Sequence, residues 1–440
     1  MIREQYDPQT QKFYIEKTRK TDILITAFAE GHFLTNCKKK IGYYIGRIFA
    51  SIEEGLGVLV RSIYMRRLPI KQNRIVFGQF QNSYTCNGKY IAEKILEKGL
   101  DYELIFIVNK TTISKREELE IPKQIRLVER DTMDSFVALG SAHFWIDNAL
   151  NCVWRKIPKK KGQIYLNTWH GSLGIKVLGG NRHWIRIARA ADKTIDYFLT
   201  DSVFDEHVFA ESFWPHAKFL KVGHPRNDIF FDPKKLSALR ARVYEYYGLA
   251  SEIKTVMYAP TFRDDKSDVS SIRMDCERLK ATMEQKFGGE WRVIVRMHMH
   301  NAKNRLLRDM FQEMEGVINA SGYRDMQELM AAVDVGITDY SSWIFDFIFT
   351  RRPAFIYALD IKQYVNDRGF YYPLTETPFA IADSDDALNK NVMEFDDGDY
   401  QKRLDAFFEG KGCYEKGNAC EGVVDFICEH TKQQDGGQDR

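Results

Sequence analysis

The sequence of 440 residues has few cysteines, and they stand far apart. There are seven, an odd number, and no Cys-x-x-Cys pair occurs among them. Scattered single thiols argue against a disulfide framework and against a zinc ribbon. The sequence therefore predicts reduced thiols in a reducing compartment. No metal is predicted to be needed for the chemistry described below.

Long apolar runs are also missing. No uncharged apolar stretch approaches the roughly 18 residues that a membrane-spanning helix needs. The first residues, Met1 to Asp7, lack the apolar core of a signal peptide. We therefore expect a cytosolic protein that neither is secreted nor crosses a bilayer.

A strong excess of charge and the common cofactor motifs are absent as well. The net charge is +3, which is too small to argue for a nucleic-acid partner. The sequence has no G-x-G-x-x-G or G-x-x-x-x-G-K-[ST] loop, no H-E-x-x-H and no G-x-S-x-G. These absences disfavour dehydrogenases, P-loop NTPases, zinc proteases and α/β-hydrolases. No cofactor is predicted.

What the sequence does contain is an alternation of apolar strands and helices that occurs twice. It predicts an α/β protein with doubly wound parallel sheets. We divide the chain into a basic amphipathic segment (1–73), a first Rossmann-like domain (74–235), a second one (250–405), and a C-terminal helix with a polar tail (406–440). Leu236 to Leu249 is predicted to be the connecting helix.

Basic residues are concentrated between Lys38 and Arg74, where nine of them stand against Glu53 and Glu54. Isoleucines and a leucine recur there at helical spacing: Ile41, Ile45, Ile48, Ile52 and Leu59. A helix that is apolar on one side and basic on the other fits an anionic membrane surface. The alternative is a helix docked on the protein's own core with a solvated basic face.

A histidine follows a short apolar strand in the first domain. Ile164 to Leu166 predict the strand, and His170-Gly171 follows shortly after it. Ligands bind at the carboxyl edge of open α/β sheets, and histidine accepts a proton near neutral pH. The pattern favours His170 as a general base, although a plain loop histidine is the alternative.

The second domain offers a group of hydroxyls between a strand and an apolar helix, at Thr338-Asp339-Tyr340-Ser341-Ser342. Free backbone N–H groups at a helix start bind phosphate. Ser341 and Ser342 are therefore predicted to contact a phosphate group, with Asp339 beside them. Plain N-capping by either serine is the alternative.

Basic residues and further histidines follow other strands of the second domain. Arg296 and His298 end one strand, and His300 shares the parity of His298. Arg263, oriented by Asp264 or Asp265, follows another strand, and Arg368-Gly369 lies after the last clear one. We interpret these as contacts to a diphosphate. The alternatives are a structural histidine and surface ion pairs.

Taken together, these stretches resemble the CDP-glycerol glycerophosphotransferases of wall teichoic acid synthesis, the TagB/TagF-like family. The resemblance covers roughly residues 74–400, and its pieces occur in the family's order. They are Thr168 to Ser172, Gly223 to Asp228, Tyr258 to Asp264, Arg296 to His298, Thr338 to Ser342 with Phe345-Asp346-Phe347, and Pro353 to Asp360 with Arg368-Gly369.

The resemblance implies a GT-B-like fold, with two Rossmann-like domains that face each other across a cleft and the nucleotide held by the second. It also implies that His170 is the catalytic base and that His298 stabilises phosphate. The family often reads His-Gly-Thr-Pro-Leu-Lys, whereas here Lys176 comes one position later. The long additional N-terminal domain of some polymerases of the family is not expected here.

We therefore expect a peripheral transferase at the cytoplasmic face of the membrane. It would move glycerol phosphate or another polyol phosphate from CDP-glycerol or CDP-ribitol to a prenyl-diphosphate-linked saccharide, releasing CMP. Two alternatives share the fold: a GT-B sugar transferase or UDP-sugar epimerase, and a non-catalytic scaffold at the membrane surface.

Overall fold

The computed structural model describes most of the chain, and it separates residues 1–67 from residues 68–440 as two compact units. The described residues are 2–7, 12–17, 58–59, 62–154, 157–174, 177, 182–261, 273–297, 316–361 and 369–435. In the first unit, β1 (Ile2–Asp7) and β2 (Lys12–Lys17) form an antiparallel pair. Residues 62–67 are helical, and most of the predicted amphipathic helix lies outside the described residues.

A seven-stranded parallel sheet organises the first half of the second unit, which we define as residues 71–231. Its order is β5-β4-β3-β6-β7-β8-β9. The strands are β3 (Lys71–Gly78), β4 (Glu103–Val108), β5 (Arg126–Glu129), β6 (Ala142–Asp147), β7 (Ile164–Asn167), β8 (Tyr197–Thr200) and β9 (Lys218–Lys221).

Helices connect these strands, as parallel pairing requires. Ser202 caps one of them by accepting a hydrogen bond from the backbone N–H of Asp205. The α-helices are Cys86–Glu97, Lys110–Ser114, Met133–Ser141, Asn151–Trp154, Arg182–Ala191 and Val203–Ser212, and the 3₁₀ segments are Phe80–Asn82 and Pro225–Phe231.

A six-stranded parallel sheet organises the second half, which we define as residues 254–411, in the order β12-β11-β10-β13-β14-β15. The strands are β10 (Lys254–Tyr258), β11 (Trp291–Val295), β12 (Val317–Asn319), β13 (Val335–Thr338), β14 (Ala354–Tyr357) and β15 (Ala380–Ala382). Its helical segments are Cys276–Phe287, Met326–Ala332, Trp343–Phe347, Ile348–Thr350, Leu374–Glu376, Asp385–Met393 and Asp397–Lys411.

Two further helices connect the halves. Pro233–Tyr247 joins them, and it starts three residues before the predicted Leu236 because Asp232 caps it and Pro233 suits its first position. The last helix, Ala419–Asp435, packs in the core of the first half, where Val423 and Ile427 are fully buried with Ile75 and Phe106.

In both sheets the order in which strands are added reverses next to the strand that comes first in the chain. The reversal lies between β3 and β6 in one sheet and between β10 and β13 in the other. In sheets of this order, ligands bind outside the carboxyl ends of the strands at such a reversal. The predicted α/β architecture with two parallel sheets is confirmed. Among the described residues, no helix has the length and apolar character needed to span a bilayer.

Candidate active site

The turn after β7 carries His170 to the carboxyl edge of the first sheet. The ring Nδ1 of His170 lies 2.5 Å from the backbone oxygen of Asn148, which directly follows β6. A carbonyl oxygen only accepts hydrogen bonds, so Nδ1 must carry the proton. In the neutral ring, Nε2 therefore presents a lone pair, which is what a general base needs.

Aromatic rings surround this imidazole. Phe80 stacks on it with ring centroids 5.3 Å apart, and the Trp169 ring lies 4.5 Å away at a tilt. Burial lowers the pKa of His170 to about 4, and the positive charges of Arg226 and His224 act in the same direction. The ring is therefore neutral at pH 7, with its protonation fixed by Asn148.

Ser342 of the second half faces this turn. It precedes the helix Trp343–Phe347, and its side chain makes no capping hydrogen bond to that helix. A Cβ atom built on Gly171 would lie 3.5 Å from Ser342 Oγ, so the two halves are in close contact here. Plain capping, the alternative for this serine, is not what its side chain does.

His170 and Ser342 line one cavity of about 130 Å³. Its other walls come from both halves: Trp169, Gly171, Gly174, Asp205, Val208, Phe209, Tyr340 and Tyr371. The space therefore lies where the carboxyl edges of the two sheets meet. A proton acceptor and a hydroxyl donor reach the same small volume from opposite sides.

Asp339, predicted to lie beside the phosphate site, is buried, and its carboxylate is hydrogen-bonded to a neighbouring loop of the same half. Its carboxylate accepts hydrogen bonds from the backbone N–H of Thr261, at 2.8 and 3.0 Å, and from the Thr261 hydroxyl, at 2.6 Å. Thr261 follows β10 and Asp339 follows β13, so this contact ties together the two strand ends at the sheet reversal.

Arg296 and Gly369 also make protein contacts. The Arg296 guanidinium donates to the backbone oxygens of Ala320 and Tyr323, at 3.2 and 3.0 Å, and burial lowers its pKa. The backbone oxygen of Gly369 accepts from Val177, which lies beyond the His170 turn. Of the other predicted contacts, Arg263, Asp264, His298 and Arg368 lie outside the described residues, as do Lys176 and His300.

A buried polar network beneath the His170 turn had no role in the sequence-based prediction. Asp346, in the second half, pairs with Arg226 at 2.7 Å and accepts from Ser172 at 2.5 Å and Asn227 at 3.2 Å, all in the first half. The signal was present: Asp346 stands alone among large apolar residues from Trp343 to Phe349. A buried acid in such a run needs partners elsewhere.

His224 connects this network to two more carboxylates. Its Nδ1 lies 3.4 Å from Asp201 and 3.6 Å from Glu415. Burial opposes the charged form of His224, but the close approach of the Asp201 and Glu415 carboxylates outweighs burial and raises the pKa of His224 to about 10. One ligand atom from each of the three lies within 4.8 Å of the others. Because Nδ1 is also 3.2 Å from Ser172 Oγ, we interpret the group as a hydrogen-bonded ion cluster.

Comparison with known proteins places this arrangement in context. Residues 60–429 match a family described as CDP-Glycerol:Poly(glycerophosphate) glycerophosphotransferase. A teichoic acid poly(glycerol phosphate) polymerase of Bacillus subtilis (strain 168) is 27% identical over 419 residues, which cover 90% of this chain and 54% of the relative. The chain thus spans about half the length of this relative, and of a Staphylococcus epidermidis polymerase of which it covers 52%.

Other relatives are matched over nearly their full length. A teichoic acid glycerol-phosphate transferase of Staphylococcus aureus (strain NCTC 8325 / PS 47) is 26% identical over 82% of this chain and 94% of the relative. The solved wall teichoic acid polymerase TagF superposes with a TM-score of 0.72 at 25% identity, covering 89% of this chain and 99% of that one. The α/β fold with two facing halves is therefore shared with a solved structure.

Proposed function

Since the chain belongs to the CDP-glycerol:poly(glycerophosphate) glycerophosphotransferase family, we propose that it transfers a polyol phosphate from a CDP-polyol to an acceptor hydroxyl and releases CMP. The observation that supports this most is the neutral His170, whose Nε2 lone pair is fixed by the Asn148 contact, in the same cavity as Ser342. A proton acceptor and a phosphate-binding hydroxyl at one point suit transfer to an alcohol.

In this mechanism, His170 Nε2 takes the proton from the acceptor hydroxyl. The alcohol oxygen attacks the β-phosphorus of the CDP-polyol, a new phosphodiester bond forms, and the bond between the two phosphates breaks. CMP leaves with the bonding electron pair. Positioning and stabilisation of charge account for most of the acceleration in phosphoryl transfer.

The diphosphate is assigned to the second half. Ser342, whose hydroxyl is not used for capping, and Ser341 supply hydrogen bonds at the start of the helix Trp343–Phe347. His298, Arg263 and Arg368-Gly369 are proposed as further contacts, from the sequence pattern and the resemblance. Asp339 and Arg296 are proposed to act indirectly, by holding the strand ends through the contacts described above.

The substrate class follows the names of the relatives. They include glycerol-phosphate and ribitol-phosphate polymerases and a ribitol-phosphate primase, and one solved TagF variant was soaked with CDPG. We propose CDP-glycerol or CDP-ribitol as donor and a prenyl-diphosphate-linked saccharide as acceptor. Such an acceptor is membrane-bound, so we propose that the enzyme works peripherally at the cytoplasmic face, with the basic residues from Lys38 to Arg67 on anionic lipid. Lys71 and Arg74 of the predicted basic segment belong to β3 instead, and Arg74 pairs with Glu103 at 2.8 Å.

Release of CMP by the purified full chain tests the proposal. CDP-glycerol, CDP-ribitol and UDP-sugars are supplied separately, each with a prenyl-diphosphate-linked saccharide. We expect CMP from a CDP-polyol only when acceptor is present. Turnover of a UDP-sugar alone would favour the sugar transferase or epimerase, and no turnover of any donor would favour the scaffold.

Vesicle flotation tests the membrane part separately. We expect the full chain to float with phosphatidylglycerol vesicles at low salt and less at high salt, because lipid charge is screened over roughly 8 Å at physiological ionic strength. A chain lacking residues 1–70 should float less and lose activity mainly on membrane-embedded acceptor. If the full chain ignores these vesicles at low salt, the basic helix docks on the protein itself.

A further inference from the structure

Asp346 is a buried carboxylate of the second half whose side-chain donors, among the residues that the structure describes, belong to the first half. Its side chain is 4% exposed, and the neighbouring residues Ile344, Phe345 and Phe347 are buried apolar side chains. The donors to its carboxylate come from the first half: Arg226, Asn227 and Ser172. Asp346 is therefore a contact from one half to the other, and it reaches the His170 turn at Ser172.

The direction of each hydrogen bond at Ser172 follows from its partners. Asp346 accepts, so the Ser172 hydroxyl donates its only proton to it, across 2.5 Å. The two lone pairs of the hydroxyl then accept from His224 Nδ1 and Asn227 Nδ2, each at 3.2 Å. Every hydrogen-bonding position of this hydroxyl is in use, which fixes Ser172 in one orientation.

Ser172 stands two residues after His170 in a turn with unfavourable backbone angles. Trp169 and Leu173 have φ angles of 50° and 45°, in the left-handed region that L-residues seldom adopt. Such a turn persists where its surroundings hold it. Asn87 holds it at Thr168 and Trp169, at 2.9 and 3.1 Å, from within the first half.

The second half also contributes contacts to the turn. Asp346 binds Ser172, and the Tyr372 hydroxyl donates to the backbone oxygen of Leu173 at 2.6 Å. Asp346 also stands four residues after Ser342, at one-turn spacing along the same short helical segment. One segment thus presents the proposed phosphate contact at its start and the contact to the His170 turn one turn later.

We propose that Asp346 is a positioning residue for His170. Through Ser172 it sets the turn that carries the base, and because Ser342 belongs to the same segment, the base and the diphosphate are held in register. The base then reaches its working position only when the two halves meet. This inference rests on the proposed function, since His170 has a position to keep only if it serves as the base.

Ser172→Ala tests the contact with the smallest change in shape. A misplacement of about 1 Å can cost about 10²-fold in rate. We expect kcat for CMP release to fall about 10- to 100-fold, with KM for CDP-glycerol changed less than about threefold. Asp346→Asn also weakens the pair with Arg226, so it should lower kcat at least as much. The double variant should lose little more than Asp346→Asn alone, because the effect of Asp346 on His170 runs through the Ser172 hydrogen bond.

Lys89→Met is the matched control. Lys89 also joins the halves, through Asp325 at 2.6 Å and Glu328 at 3.3 Å, but it does not contact the His170 turn. If Asp346 only holds the halves together, Lys89→Met should lower kcat as much as Ser172→Ala does. We expect instead that it lowers the thermal unfolding midpoint and leaves kcat within about threefold, since it removes a buried ion pair away from the base.

A readout that needs no turnover separates this inference from the proposed function. In protein labelled with ¹⁵N-histidine, the His170 ring signals, assigned by their loss in His170→Gln, should shift or broaden in Ser172→Ala and not in Lys89→Met. If the wild type releases no CMP, the proposed function fails. The ¹⁵N spectra alone then test whether the Ser172 contact positions the His170 ring. Wild-type kcat and unchanged ring signals in Ser172→Ala would overturn the inference.

Discussion

The two sheets share the order of their first six strands but present different chemistry at their carboxyl edges. The first edge presents rings, with His170 between Phe80 and Trp169. The second edge presents hydroxyls, and its buried carboxylates Asp339 and Asp346 accept hydrogen bonds from other residues of the protein. In the proposed mechanism, topology thus sets the edge where the reaction takes place, and the loops decide which half supplies the base and which binds the phosphates.

Removing the ring at the first edge should have the largest effect. We expect His170→Ala to lower kcat for CMP release by about 10²–10⁴-fold, the usual cost of losing a general base. Calorimetry with CDP should show nearly unchanged binding, because the nucleotide is assigned to the other half. Activity near the wild-type level would remove His170 from the mechanism, and lost CDP binding would show that the halves do not divide the work in this way.

Removing a hydroxyl at the second edge should have the next largest effect. Ser342→Ala is expected to lower the rate with CDP-glycerol about 10²-fold, the size typical of losing a donor to developing negative charge. His298→Ala, on the same proposed diphosphate, should do likewise. Steady-state kinetics measure both. Normal handling of CDP-glycerol by the two variants would place the phosphate site elsewhere.

The pH dependence should distinguish His170 from an ordinary histidine. Burial lowers its pKa from 6.5 to about 4, so the ring stays neutral, and able to accept a proton, as the pH falls through 6.5. We expect kcat/KM to remain level from pH 7 to about 5 and to fall only near pH 4. Intrinsic fluorescence at each pH confirms that the protein remains folded. An acid limb near 6.5 would mean that the ring is more solvated than its stacking on Phe80 indicates.

Ser384 provides the smallest and most selective contrast with Ser342. Its hydroxyl accepts from the backbone N–H of Ala387 at 3.2 Å and so caps the helix Asp385–Met393, whereas Ser342 caps nothing. Ser384→Ala should therefore lower the free energy of unfolding by about 1 kcal/mol and leave kcat unchanged. Ser342→Ala should leave the free energy of unfolding unchanged and lower kcat. Urea denaturation and CMP release, measured on both variants, reveal whether a serine before a helix serves stability or chemistry.

Much of the fold was readable because each element has a local signature. His170 was predictable as an edge residue because an apolar strand ends just before it. The start of the connecting helix was wrong because a cap was overlooked: Asp232 caps this helix and Pro233 begins it, three residues before Leu236. Short edge strands such as β12 and β15, of three residues each, gave too little periodicity to be detected.

The site was less predictable, because its contacts join residues that are far apart in sequence. Ser172 and Asp346 are separated by 174 positions, and Arg226 and Asp346 by 120. No local pattern encodes such a pair. Arg296 illustrates the same limit: a basic residue at a strand end suggested phosphate, but its guanidinium donates to two backbone oxygens. Sequence indicates which residues stand at an edge, while packing decides which of them remain available to a ligand.

The packing of the last helix against the first half has a consequence for experiments that divide this protein into fragments. Val423, Val424 and Ile427, in Ala419–Asp435, are buried in the core of the first half, and His430 meets the Tyr197 hydroxyl at 3.0 Å. A fragment that stops at the connecting helix would leave that core open to water. The two halves are therefore interlaced rather than modular, and a split-protein version would retain the first sheet only if this C-terminal helix were supplied with it.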